Sequence, residues 1–250
     1  MEWLLPAEIA PWMGVFLVIA AGFTSAITAS IGVGGGVLLL AIMAIAMPPA
    51  AVIPVHGMVQ LGSNFNRAVM TLQHIDWKLL ATFTPGAMLG ALLASQFLVQ
   101  LPLSALQLSI AGFILFLCWG PKIPPVGLGR VGTFIAGVIT TFISMFAGAT
   151  GPLVAAFVKQ QQNGDRFLTV ANFAACMSVQ HLPKALVFGA AGFVFNEWLG
   201  LMLLMIISGA IGTWFGLKVL KTLSNKRFGL IFNLILTVLA FRLIWQAVAN

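Results

Sequence analysis

Long apolar stretches separated by short polar gaps dominate the chain. They cover residues 12–47, 50–72, 78–119, 130–158, 167–194, 198–217 and 228–249. A helix needs about 20 predominantly apolar residues to cross the hydrocarbon core of a bilayer. Lipid offers the backbone no hydrogen-bond partner, and these stretches do not alternate between polar and apolar residues as barrel strands do. The pattern therefore predicts an all-α integral membrane protein.

Basic residues in the polar gaps predict the orientation, since Lys and Arg concentrate on the cytoplasmic side. They occur in the 73–78, 120–130, 159–166 and 218–227 links, whereas the N-terminal region, the Pro48–Pro49 turn, the Leu101–Pro102 turn and the 190–197 turn have none. Residues 12–47 and 130–158 must then each begin and end on one side, so both are predicted to be hairpins. Both termini are predicted to be periplasmic, in the inner membrane of a bacterium.

The two halves of the chain resemble each other in the order and spacing of particular residues. Gly22 and Gly137 lie 115 positions apart, and so do Gly36 and Gly151. Each half contains a hairpin followed by three spans, and this odd number of crossings inverts the second half. We expect two inverted-topology repeats, 1–120 and 121–250, in a single membrane domain. They would have eight spans if each hairpin is counted once, and ten helical segments. Inverted repeats are typical of secondary transporters.

The tips of the two hairpins have the sequences SIGVGGG, from Ser30, and FAGATGP, from Phe146. Glycine runs disfavour a continuous helix, so a break is predicted in each, with helices resuming at Val37 and Leu153. Helix N-termini offer free N–H groups and partial positive charge, so two tips that meet near the midplane form an anion site. The donors predicted at the tips are Gly34, Gly35, Gly36, Gly148, Thr150 and Gly151.

Close helix packing is the alternative explanation for glycine. It is the preferred one for the pair Gly86 and Gly90 and for its repeat mates Ser208 and Gly212. For the tips we favour the anion site, because packing alone asks for a glycine every fourth residue and not for a run.

Polar side chains within two spans form a second set of candidates, since polar groups in a membrane are often functional. Predicted substrate ligands are Gln60 and Asn64 in the first half and Asn172 and Gln180 in the second, and candidates for proton coupling or charge are His56, His181, Arg67 and Lys184. Arg67 lies near a helix end, which favours snorkelling to the interface over contact with cargo. For Lys184 the sequence does not decide between a functional and a structural role of its charge. The histidines either relay protons or form neutral hydrogen bonds, and we favour the latter.

Composition excludes several classes of function. Only 7% of residues are charged and 60% are hydrophobic. The net charge of +7 comes from basic residues scattered singly, without the basic face that nucleic-acid binding needs. Cys118 and Cys176 both lie in apolar stretches, so no disulfide framework, metal site or cofactor is expected. The first 30 residues contain Glu2 and Glu8 but no basic residue, unlike a signal peptide, and are expected to stay as the first helix. No carboxylate lies inside a predicted span, which disfavours a cation as cargo.

The first glycine-rich break, IGVGGGVLL from Ile31, and the later GATGPL, from Gly148, resemble those of the TauE/SafE family of sulfite and organosulfonate exporters. With the two-repeat plan, the resemblance covers nearly the whole chain. It implies a transporter, not an enzyme, that carries sulfite or organosulfonates and has no cofactor.

We therefore expect an alternating-access exporter of small sulfur-containing anions in a lipid bilayer. An anion channel and a permease for small carboxylates or other sulfur compounds remain alternatives. An intramembrane hydrolase built from Ser144, His56 and His181 is disfavoured, because no nucleophile-turn motif is present. A scaffold subunit is a further alternative, and proton coupling and a homo-oligomer stay open.

Overall fold

A computed structural model describes residues 5–98, 103–121, 129–162, 165–219 and 226–249. The Leu101–Pro102 turn and parts of three basic links used for the topology prediction lie outside these ranges. The described residues form ten α-helices and two short 3-10 turns, with no strand. The helices are α1 Pro11–Ile31, α2 Gly35–Ala46, α3 Pro49–Met70, α4 Trp77–Leu98, α5 Leu103–Trp119, α6 Arg130–Ala147, α7 Gly151–Gln161, α8 Arg166–Ala190, α9 Leu199–Val219 and α10 Lys226–Ala249. The prediction of an all-α protein with ten helical segments is confirmed.

Four helical stretches are long and apolar enough to cross a bilayer: Pro11–Ile31, Trp77–Phe97, Arg130–Ala147 and Phe195–Val219. The other described helices are shorter or less apolar. Among them, α3 and α8 have 22 and 25 residues and carry several buried polar side chains. The count of eight spans and the inverted arrangement of the halves stay predictions.

Both predicted hairpins are broken between their helices. In the first, Gly32 and Gly34 have φ values of +97° and +109°, and in the second Gly148 has a φ of +81°. Side chains other than glycine rarely adopt such values. We call residues 32–34 the first tip and residues 148–150 the second tip. The chain turns at both tips therefore require glycine, and the sequence has glycine at these positions.

The helices after the tips begin two residues earlier than predicted, so Gly35 and Gly36 are helical. A Cβ atom at Gly35 would lie 1.8 Å from the carbonyl oxygen of Thr24, because the start of α2 packs directly on α1. The glycine run thus has two causes, a turn at residues 32–34 and a close helix contact at Gly35.

Two glycine-rich seams join the halves of the chain. In one, α1 packs along α9, and a Cβ atom at Gly212 would lie 1.9 Å from the carbonyl oxygen of Gly22. In the other, α4 packs along α6, and a Cβ atom at Gly90 would lie 2.2 Å from the carbonyl oxygen of Val138. The packing interpretation of these glycines is confirmed. Because each seam pairs a helix of 1–120 with one of 121–250, the predicted halves are interlocked.

The centre of the molecule is formed by α3 and α8, which pack against each other. The buried polar and charged side chains of these two helices include His56, Asn64, Arg67, His181 and Lys184. Large apolar side chains such as Trp12, Phe16, Ile211 and Trp214 are exposed on other helices. Buried polar side chains are thus concentrated on α3 and α8, and large apolar side chains cover much of the surface, as expected for a protein whose solvent is lipid.

Candidate functional site

A small cavity lies where the two tips meet α3 and α8. Gly34 and Gly36 line it from the first hairpin, and Ala149 and Gly151 from the second. The structure thus brings together four positions on the two predicted tip segments.

The two helix starts at the cavity have no side-chain cap. The first intrahelical hydrogen bond of α2 runs from the Val37 amide to the Gly34 carbonyl, and that of α7 from the Leu153 amide to the Thr150 carbonyl. Glycine amides before these positions have no acceptor within their own helix. Both helix starts also carry partial positive charge. The site therefore offers donors and positive potential from two directions.

Two histidines line the cavity between the tips, His56 on α3 and His181 on α8. His56 Nε2 lies 2.9 Å from the carbonyl oxygen of Gly36, and since a carbonyl only accepts, this nitrogen carries the proton. His56 Nδ1 and both ring nitrogens of His181 are buried without a hydrogen-bond partner within the described part of the chain. The rings meet edge to face at 6.1 Å between centroids. Buried nitrogens of this kind are available to a solute or a proton.

Gln60 and Asn64 also line the cavity, and Arg67 continues their row along α3. Asn64 Nδ2 donates to the Gln60 carbonyl at 2.8 Å and to Gln60 Oε1 at 3.1 Å. Arg67 Nη1 donates to Asn64 Oδ1 at 3.0 Å. Arg67 is only 1% exposed, so the snorkelling interpretation is wrong. The side chain lies on the inward face that it shares with Gln60 and Asn64, as the spacing of three and four residues along the helix indicates.

A cluster of hydroxyl groups that sequence reasoning missed lies beside Arg67. Arg67 Nη2 donates to Thr213 Oγ1 at 3.4 Å. Ser25 lies within hydrogen-bond distance of both Ser63 and Thr213. These residues come from α1, α3 and α9, and no local pattern marks them, because small hydroxyl residues are common in packed membrane helices.

Three predicted site residues hold the second tip instead of facing the cavity. Gln180 Nε2 donates to Thr150 Oγ1 at 2.6 Å, and the Thr150 hydroxyl donates to the Thr140 carbonyl at 3.2 Å. Lys184 Nζ donates to the Gly148 carbonyl at 2.7 Å. The hydroxyl hydrogen of Thr150 is thus used within the protein. Lys184 thus bonds to the C-terminal end of α6, where the helix dipole favours positive charge.

Asn172 lies away from the cavity, contrary to the expectation that it faces the pathway. Its Nδ2 donates to the carbonyls of His74 and Leu168, and its Oδ1 accepts from the Asp76 amide at 2.7 Å. It therefore anchors the link before α4. Gly35 does not face the cavity either, because it packs against α1. A buried asparagine that binds backbone and one that binds a solute give the same sequence pattern.

Apolar cavity residues were also missed by sequence reasoning. Phe173 and Met177 line the cavity from α8, and Thr28 lines it from α1. In a chain with this many apolar residues, nothing distinguishes an apolar side chain that faces a cavity from one that faces lipid. Their side chains restrict the space at the site.

The electrostatic balance of the site favours negative charge. Arg67 and Lys184 are both buried, and neither forms an ion pair with a carboxylate in the ranges that the structure covers. Asp76 and Asp165 instead cap helix starts, through bonds to the Leu79 and Leu168 amides. Buried cations without a counter-charge are costly, and an anion nearby offsets that cost.

Residues that could hold a metal do not cluster in the described residues, where no group of three His, Cys, Asp or Glu side chains is found. The Ser144 hydroxyl lies 3.5 Å from the Gly148 carbonyl, while His56 bonds to Gly36. The arrangement of Ser144 with a histidine base that a hydrolase would need is therefore not formed by these bonds.

A family model described as "Sulfite exporter TauE/SafE" matches residues 16–243. The chain belongs to the TauE/SafE family. Comparison with curated proteins and with solved structures gives no significant match. The family match agrees with the resemblance seen in the two glycine-rich breaks, and both breaks lie within the matched region. TauE/SafE proteins are membrane transporters of a sulfur-containing anion, as the family's name states, and the apolar helices of this member fit that class.

Proposed function

We propose that this TauE/SafE protein is a secondary transporter that exports sulfite or small organosulfonates across the bacterial inner membrane. The observation that carries the proposal is the cavity between two uncapped helix starts, in a chain that belongs to a sulfite exporter family. Helix N-termini are common anion sites, because their amides and dipoles both favour negative charge.

The anion is held by donors from both hairpins and both central helices. The proposed contacts are the backbone amides of Gly36 and Gly151 and the side chains of Gln60 and His181, which all line the cavity. A sulfite or sulfonate group presents three oxygens in different directions, which suits donors that converge from several elements. In a site shielded from water, each of these hydrogen bonds is stronger than at a protein surface.

Alternating access follows from an inverted-repeat organisation with 1–120 and 121–250 as the repeats. Helix packing supports it, because exchanging the halves turns the α1 and α9 pair into the α6 and α4 pair, and leaves the pair of α3 and α8 unchanged. Both termini are periplasmic in this proposal. In this proposal the rigid bodies that move are the α1 and α9 pair and the α4 and α6 pair. The two sequence halves do not move as units, since each pair contains one helix from each half.

Proton coupling is a further part of the proposal. His181 lines the cavity with both ring nitrogens unpartnered in the described structure, and the ring of His56 meets it edge to face. A proton taken up by His181 would balance the charge of the anion in the same cavity.

Sulfite flux into liposomes that contain the purified protein tests the function. A carrier saturates with sulfite concentration and shows counterflow, whereas a channel passes current at much higher rates without counterflow. Methanesulfonate, acetate and phosphate as competitors define the cargo. Failure of the pure protein to move any of these anions would contradict the transporter proposal and favour an assembly subunit.

Gly36→Val and Gly151→Val test the site within the same assay. A Cβ atom at Gly36 would meet the flexible Gln60 amide at 3.3 Å, and one at Gly151 would meet Phe173 at 3.5 Å, so added bulk fills the cavity without a backbone clash. We expect both variants to insert normally and to lose sulfite flux. Gly112→Val is the matched control, because a Cβ atom there would have nothing within 4 Å. Wild-type flux in both site variants would rule out the cavity as the pathway.

A further inference from the structure

We propose that Arg67 is a positioning residue that makes the cavity selective for anions. It acts through Asn64 and Gln60, by fixing which end of each side-chain amide points towards the cavity. The inference rests on the proposed function as far as the cargo is an anion bound in this cavity, and it names what sets that preference.

The first step is the bond between Arg67 and Asn64. A guanidinium group has five N–H donors and no acceptor, so only the oxygen of the Asn64 amide can face it. Arg67 Nη1 meets Asn64 Oδ1 at 3.0 Å, as this requires. Since Arg67 is 1% exposed, water does not compete for the bond.

The second step is the bond between Asn64 and Gln60. With its oxygen directed at Arg67, Asn64 presents its NH₂ group to the previous turn of α3. There Nδ2 donates to the Gln60 carbonyl at 2.8 Å, an atom that can only accept. The orientation of Asn64 is therefore set by a pure donor on one side and a pure acceptor on the other.

The third step carries the orientation into the cavity. Asn64 Nδ2 also donates to Gln60 Oε1 at 3.1 Å, which uses the oxygen of the Gln60 amide. The other group, Nε2, is a pure donor, and it lies beside the first tip, 3.3 Å from where a Cβ atom at Gly36 would stand, with Oε1 3.4 Å from the same point. Because Gln60 lines the cavity, its donor adds to those of the helix starts.

We call the hydrogen-bonded row Arg67, Asn64 and Gln60 the relay. Because the relay ends in a donor, it discriminates between solutes by the sign of their charge. An anion accepts the Gln60 N–H, whereas a cation or a solute that needs an acceptor finds only Oε1, which already accepts from Asn64. A glutamine without the relay can rotate its amide by half a turn and offer either atom. The positive charge of Arg67, with no carboxylate partner in the described ranges, also polarises the chain of hydrogen bonds towards the cavity.

A double-mutant cycle separates this role from a structural one. Arg67→Gln replaces the pure donor with a group that can donate or accept, and Gln60→Met removes the amide that contacts the cavity. We expect each single change to weaken sulfite binding about 5- to 10-fold, the value of one hydrogen bond. The double variant should bind no more weakly than either single one, because Arg67 acts through Gln60. Binding is measured by calorimetry on the purified protein with sulfite and methanesulfonate.

Thr213→Val is the matched control, since it removes the other bond of Arg67 without touching the relay. We expect it to leave sulfite affinity within about twofold of wild type, well below the effect of one hydrogen bond. Additive losses in the double variant, or an equal loss in Thr213→Val, would overturn the relay and leave Arg67 as a packing or long-range charge. If Arg67→Gln does not assemble, Arg67→Met takes its place in the cycle.

The outcome also distinguishes the relay from the proposed function. Wild-type protein that binds sulfite but does not transport it would contradict the function and leave the relay to be judged by the cycle. If acetate or phosphate binds and sulfite does not, the cargo is wrong and the cycle is run with the anion that binds. Binding of none of the four anions would overturn both.

Discussion

At the scale of single residues, neighbouring glycines of one run have different roles. Gly34 turns the chain with a φ of +109°, Gly35 allows α2 to touch α1, and Gly36 opens the cavity. The three successive glycines thus serve a chain turn, a helix contact and the candidate site, in that order. Replacing them one at a time separates stability from transport.

Gly35→Ala and Gly36→Ala form the first such pair. At Gly35 the new methyl group would stand 1.8 Å from the Thr24 carbonyl oxygen, which belongs to the backbone and cannot move aside cheaply. We expect Gly35→Ala to lower stability by about 3 kcal/mol or more, as severe overpacking does. Gly36→Ala should lower sulfite flux with little change in stability. Thermal unfolding in detergent and liposome flux measure the two effects, and equal Tm losses would contradict the assignment.

Lys184 is the second residue whose role can be isolated. Lys184→Met keeps the alkyl chain that packs on Gly57 but removes the bond to the Gly148 carbonyl. A hydrogen bond from a charged group contributes about 1.5–3 kcal/mol, so we expect a clear fall in Tm and slower transport because the second tip is loosened. The exposed Lys159→Met is the control and should change neither. An unchanged Tm for Lys184→Met would show that the lysine does not hold the tip.

At the scale of helices, the two seams are the contacts on which assembly depends. Backbones meet there with no side chain between them, since a Cβ atom at Gly86, Gly90, Gly212 or Gly216 would stand 1.9–2.4 Å from a carbonyl oxygen of the facing helix. Small residues allow such approach in membrane bundles, where no hydrophobic force draws helices together.

Gly212→Leu tests the seam between α1 and α9. The new side chain must push the helices apart, and the loss of packing along the seam should reduce the yield of folded protein several-fold. Gly189→Leu, where the nearest atom to an added Cβ is Phe195 at 3.8 Å, is the control. Fluorescence-detected size-exclusion chromatography reports both. A monodisperse peak of normal height for Gly212→Leu would mean that the helices are not closely packed.

At the scale of the whole molecule, the orientation of the chain in the membrane is the main prediction. Gln73 follows α3 and Asn196 precedes α9, and both are exposed. In the inverted-repeat proposal they lie on opposite sides, Gln73 in the cytoplasm and Asn196 in the periplasm.

Labelling with a membrane-impermeant thiol reagent tests this orientation. Cys118 and Cys176 are first replaced by alanine, and Gln73→Cys and Asn196→Cys are then introduced singly. We expect the reagent to reach Asn196→Cys in intact spheroplasts and Gln73→Cys only in inverted vesicles, because basic loops stay inside. Labelling of both from one side would contradict the inverted topology.

Much of the fold followed from the sequence, because lipid imposes strong rules on backbone hydrogen bonding. The predicted stretch 50–72 corresponds to Pro49–Met70, and the stretch 167–194 contains most of Arg166–Ala190. Both breaks were predicted, since glycine runs within apolar segments are incompatible with an uninterrupted helix. Bounds at the tips were less accurate, because Gly35 and Gly151 also fit the first turn of a helix.

The candidate site was predicted only in part. Gln60, Asn64, His56 and His181 do face one cavity together with the tips, whereas Asn172 binds the backbone of the link before α4. Arg67 is buried against Asn64, which lies one turn away on the same helical face, and against Thr213 of α9, a partner that no periodicity reveals. A helical face can be derived from spacing, but what lies opposite that face depends on helices distant in the chain.

The sequence by itself determined that this protein is helical, membrane-bound and broken at two glycine-rich tips, and it pointed to the family. Each of these depends on local composition, because a backbone in lipid must satisfy its own hydrogen bonds within each segment. Only the tertiary structure decided that α1 pairs with α9 and α4 with α6, that Lys184 holds the second tip, and that Arg67 orients the amides leading to the cavity. Those features depend on contacts between residues distant in the chain, such as Ser25 and Thr213, which are 188 positions apart, and packing and hydrogen-bond geometry select them only once the helices have assembled.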